Sequence, residues 1–79
     1  MGKLDEMDKR FAENLKTLRA IHGFSRKQLS KECGVSEVCI VNYEHYKSLP
    51  NVVDGFLLAK ALGVTLDELV GKTIEVKMK

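Results

Sequence analysis

Glu37, Val38 and Asn42 are the side chains of this 79-residue chain whose types and spacing suit recognition chemistry. A carboxylate accepts a hydrogen bond from a cytosine amine, and a branched apolar side chain packs on a thymine methyl, so Glu37 and Val38 are legible partners for base edges in a major groove. On a helix running from Glu37 to Tyr46 these residues share one side with Val41 and His45, while Ile40 and Tyr43 form an inner stripe. Cations flank the stretch. Arg26, Lys27 and Lys31 precede it and Lys47 follows, all able to neutralise backbone phosphates, but Glu32, Glu37 and Glu44 reduce the excess over the span to +1. Duplex binding through this stretch would therefore be modest and strongly salt-dependent.

Two short helices must position these residues. Ser25 is an N-cap and Gln28, three residues on, completes a capping box, so a helix starts at Arg26. It runs to Cys33, and Gly34 can take the left-handed backbone that ends it. Ser36 caps the next helix. Only Gly34, Val35 and Ser36 separate the two, too few for a relaxed antiparallel hairpin, so the helices should cross steeply as in a helix-turn-helix. Leu29, Cys33, Ile40 and Tyr43 face inward and Val35 fills the elbow. Spacing alone leaves two readings level: a helix whose leading end enters a DNA groove, or an ordinary helical hairpin with a solvated face.

Other chemistry is weakly supported. Cys33 and Cys39 read as small, buried or half-buried apolar residues of a reducing compartment; with His45 they lack the paired close spacing of zinc ligands, so no metal is expected. No Gly-rich phosphate loop, spaced carboxylate pair or Ser, His and Asp arrangement suggests an enzyme, and no cofactor or small-molecule ligand is expected. The balance of 13 basic and 11 acidic residues gives +2, a weak signal for a nucleic-acid partner. Apolar residues at 44% and charged ones at 30% are ordinary for a soluble globular chain, and its length suits one domain. There is no run of roughly 20 apolar residues to span a bilayer and no signal-peptide core at the N-terminus. A cytoplasmic location without a membrane partner is expected. Glu6 stands where myristoylation needs Ser or Thr.

Before the motif, Phe11, Leu15, Leu18 and His22 recur with helical spacing and predict a helix from Asp5 to His22, ended by Gly23. After it, Pro50 breaks the chain and Asn51 can cap a helix from Val52. That segment, VVDGFLLAKALG, is apolar nearly all round and reads as the core pillar, with Gly55 suggesting close packing against another backbone. Thr65 and Glu68 form a second capping box for a short fifth helix, with Leu66, Leu69 and Val70 covering the core. Finally, Ile74, Val76 and Met78 alternate with polar residues, a strand signature over residues 73–78. Pairing with a symmetry mate would satisfy such a strand and make a homodimer; a disordered tail is the equal alternative.

From about Leu15 to Val70, some 56 residues, the chain resembles the five-helix DNA-binding domain of lambda-type repressors and Cro proteins. The resemblance rests on the joint order of Leu15, Leu18 and Arg19; Gly23, Phe24 and Ser25; Leu29 and Ser30; Gly34, Val35 and Ser36; Ile40; Tyr43 and Glu44; Pro50; and the run from Leu58 to Leu69. It implies an all-α five-helix fold with a core over residues 8–70 and the helix-turn-helix over residues 25–46, within a single domain of residues 1–79. It also implies base reading by Glu37, Val38 and Asn42, and phosphate contacts at Arg26, Ser36, His45 and Lys47, beside the flanking Lys27. An ion pair between Arg19 and Glu44 is implied as a structural link.

Three positions depart from the pattern. The reading face carries Glu37, Val38 and Cys39 where relatives often have Gln, Ser, Thr or Arg, and repulsion between Glu37 and phosphates lowers affinity. His45 and Tyr46 replace the Gly that usually follows the recognition helix, with a packed ring as the expected role of Tyr46. Asp54 and Gly55 replace stronger helix formers. The expected function is sequence-specific binding of double-stranded DNA by a dimeric transcriptional regulator, acting as a repressor on a palindromic operator. The alternative is a protein-interaction module, such as an antitoxin or assembly factor, that binds protein through Val38, Val41 and Tyr46.

Overall fold

A computed structural model describes the backbone of residues 3–71 and side chains from residue 9 to residue 69. Five helices follow in chain order: α1 Lys3–His22, α2 Arg26–Cys33, α3 Glu37–Glu44, α4 Val52–Leu62 and α5 Leu66–Gly71. The fold is all-α. The expected strand at residues 73–78 lies outside the described residues, as does the side chain of Val70.

Each helix boundary has a local cause. Ser25 Oγ accepts from the Gln28 amide at 3.1 Å while Gln28 Oε1 accepts from the Ser25 amide at 2.8 Å, closing the capping box. Thr65 and Glu68 repeat it at the start of α5, at 3.0 and 2.9 Å. Asn51 caps α4 by accepting from the Asp54 amide at 2.7 Å. Gly34 ends α2 at φ +84°, its amide donating to the Ser30 carbonyl at 2.8 Å.

Phe11, Leu15, Leu18, Leu29, Ile40, Tyr43, Leu58, Leu62 and Leu69 form one buried cluster, closed at the elbow by Cys33 and Val35. The Tyr43 ring meets Phe11 edge-on, with centroids 5.6 Å apart, and its hydroxyl donates to Asp54 Oδ2 at 2.8 Å. Burial and that carboxylate together push the Tyr43 phenol well above its ordinary pKa. Burial likewise raises the Cys33 thiol, keeping it neutral. Asn14 is also buried, and its amide donates to the Glu68 and Leu69 carbonyls at 3.3 and 3.0 Å, fastening α5 to α1.

Helix α4 differs from the expected pillar. Gly55, Leu58, Ala59 and Leu62 make its buried face, whereas Val52, Val53 and Phe56 are exposed. The reason is geometric: the spacing 55, 58, 59, 62 selects one side of a helix, Val53 and Phe56 fall off that side, and Val52 stands at the helix's first position. The close approach at Gly55 is to a side chain rather than to a backbone. A Cβ there would lie 2.9 Å from Leu66 Cδ1 and 3.7 Å from Pro50 Cγ. His22, expected on the inner stripe, is exposed; it stacks on Phe24 and its Nε2 lies 2.9 Å from the Leu62 carbonyl.

Candidate nucleic-acid interface

Helix α3 packs from behind on α1 and α2, and its inward residues Ile40, Tyr43 and Glu44 are buried. Its other side is open. Glu37 and Val38 face solvent at the leading end, Val38 with 70% of its surface accessible, while Val41 and Asn42 are half-exposed. His45 follows the helix, also exposed. The three expected base-reading residues thus lie on or beside one accessible face of a helix clamped by the core.

The leading end is fixed by Ser36, whose Oγ accepts from the Cys39 amide at 3.2 Å. The hydroxyl proton stays available to an anion. At the other end, His45 Nδ1 lies 2.9 Å from the Val41 carbonyl. That carbonyl can only accept, so Nδ1 carries the proton, and Nε2 can donate to a phosphate only when the ring is doubly protonated.

The helix ends at Glu44, two residues before the expected Tyr46, because Tyr46 adopts φ +63°. The Lys47 amide donates to the Asn42 carbonyl at 3.0 Å and the Tyr46 amide to the Tyr43 carbonyl at 3.4 Å, a Schellman closure in which Tyr46 occupies the left-handed position favoured by glycine. The Tyr46 ring is not packed in the core. It is 45% exposed and lies beneath Lys16 Nζ, 5.6 Å from the ring centroid.

Glu44 is the electrostatic centre of the motif. Its side chain is wholly buried, and its carboxylate accepts from Arg19 Nε at 2.7 Å, Arg19 Nη2 at 3.0 Å and Arg26 Nε at 2.9 Å. Arg19 also donates through Nη1 to the Phe24 carbonyl at 3.1 Å, so α1, the turn before α2 and the end of α3 share one guanidinium. Burial is the largest single influence on Glu44 and pushes its pKa up, but the hydrogen bonds and charges of Arg19 and Arg26 outweigh it and hold the group below the ordinary Glu value. The same carboxylate raises the Arg19 pKa.

The second partner, Arg26, was not legible from spacing, since residues 18 apart meet only through tertiary packing. Arg26 therefore serves Glu44 as well as being exposed enough to meet a phosphate. Lys27 and Lys47 are exposed, consistent with a flanking role. Among the described residues no group of three His, Cys, Asp or Glu side chains is arranged to hold a metal ion, and no helix is long and apolar enough to cross a membrane.

Residues 15–69 match a protein family described as helix-turn-helix. The chain is also 34% identical over 55 residues to an uncharacterized HTH-type transcriptional regulator of Methanocaldococcus jannaschii, the match covering 70% of this chain and 83% of that protein. No solved structure matches the chain.

Proposed function

Because the chain belongs to the helix-turn-helix family of the Cro and lambda-repressor type, we propose that this DNA-binding transcriptional regulator is a cytoplasmic repressor that occupies a palindromic operator as a homodimer. The observation that carries the reading is the open face of α3. Its leading residues are exposed while its back is anchored by a buried carboxylate and two arginines.

In this reading α3 lies in the major groove. Glu37 accepts from a cytosine amine, Val38 packs on a thymine methyl and Asn42 meets a neighbouring base edge. Arg26, Lys27, Ser36, His45 and Lys47 hold the flanking phosphates and fix the register. Two copies related by a two-fold axis would present their α3 helices to half-sites about 34 Å apart. Occupancy of a promoter then excludes polymerase. Titrating labelled mixed genomic duplex with the full chain tests this: retardation at low salt that fades steeply as salt rises supports it, and no retardation at low salt overturns it.

A second reading is favoured by one observation, the exposed apolar side chains Val38, Val52, Val53 and Phe56. A module that binds protein through such a surface would keep this fold and show no affinity for duplex.

A further inference from the structure

The two arginines on Glu44 are not equivalent. Arg19 places Nε and Nη2 on the carboxylate and Nη1 on the Phe24 carbonyl, so every nitrogen of its guanidinium is engaged and its side chain is 21% exposed. Arg26 uses Nε alone. Its two terminal nitrogens have no partner among the described residues, and its side chain is 35% exposed. One bidentate arginine already neutralises Glu44, so the charge of Arg26 is surplus and the cluster carries a net positive charge where the start of α2 meets the end of α3.

We propose that Arg26 is a two-sided residue, tethered through Nε to Glu44 and presenting Nη1 and Nη2 as a fork to a single backbone phosphate of duplex DNA, with Glu44 as its positioning residue. This rests on the DNA-binding reading above. A tethered guanidinium has lost most of its rotamer freedom before the phosphate arrives, and its planar fork matches a phosphate through two parallel bonds. The phosphate would also balance the cluster, two cations against two anions. A lysine has one nitrogen at the end of a flexible stem and cannot hold Glu44 and a phosphate in this way.

The test is a salt series of binding to a mixed-sequence duplex, with thermal melts of each protein. Arg26→Gln should lower the slope of log affinity against log salt by about 0.9, the contribution of one phosphate, and weaken binding about tenfold at low salt. Arg26→Lys should fail to restore wild-type affinity although the charge is kept. Lys60→Gln, removing an exposed charge on α4, should leave the slope unchanged. Glu44→Gln raises the net charge yet should not tighten binding in protein that still melts cooperatively. An unchanged slope in Arg26→Gln, or wild-type affinity in Arg26→Lys, overturns the inference while leaving DNA binding intact. Absence of binding by the wild-type chain overturns both.

Discussion

Arg19 and Glu44 tie α1 to the end of α3 at 2.7 Å, with the carboxylate fully buried. Arg19→Ala removes two of the three hydrogen bonds on the Glu44 carboxylate but leaves Arg26 on it, so a loss below the roughly 3 to 5 kcal/mol of a fully unpaired buried charge, read as a lowered melting temperature, is expected. An unchanged melt would remove the pair from the account of stability. The pair also sets an acid limit. The pKa of Glu44 is depressed in the folded state, so its stabilisation is complete above the ordinary Glu value of about 4.3 and disappears as pH falls through the lower, folded value. Melting temperatures across the acid range should fall there, less steeply in Glu44→Gln than in the wild type. At Tyr46 a left-handed backbone costs a non-glycine residue roughly 1 to 2 kcal/mol, more than the roughly 0.5 to 1 kcal/mol of an exposed Lys-aromatic contact such as Lys16 makes. Tyr46→Gly should therefore raise the melting temperature slightly. The ion pair was reachable through the resemblance of Arg19 and Glu44 to matching positions, whereas the Arg26 bond and the buried Asn14 were not, because both depend on how helices distant in sequence dock.

Among the elements, helix starts were the most legible feature, since Ser25, Ser36, Asn51 and Thr65 act on amides three residues away and nothing distant overrides them. Helix faces were legible only where polar residues marked the outside. In α1 the spacing of Phe11, Leu15 and Leu18 identified the buried stripe. In α4 the run VVDGFLLAKALG gave no such contrast, and the exposure of Val52, Val53 and Phe56 is decided by which neighbours exist rather than by hydrophobicity. The two sides of α4 should answer differently to substitution. Leu58→Ala, emptying a fully buried site, is expected to cost about 2 to 5 kcal/mol, while Phe56→Ser, at a position 56% exposed, should change stability by no more than about 0.5 kcal/mol. Denaturant midpoints of the two variants compare them directly, and equal losses would place Phe56 in the core.

At the scale of the whole molecule, the net charge of +2 says little about a partner, and the useful signal is where charges stand. Glu44, an acidic residue in the motif by sequence, is buried and neutralised, so the exposed surface around α3 is more basic than a count along the chain implies. The homodimer proposed here has a separate test: removal of residues 72–79 should convert it to monomers in sedimentation if that segment joins the two copies, and an unchanged mass would refute its role. The most direct test of groove reading by α3 is anisotropy of a labelled mixed-sequence duplex titrated with wild-type protein and with Val38→Asp, from about 50 to about 200 mM salt. Binding by the wild type that weakens steeply over this range and is lost in Val38→Asp, with the melting temperature unchanged, is the predicted result; equal binding by the two proteins, or none by the wild type at low salt, would contradict it.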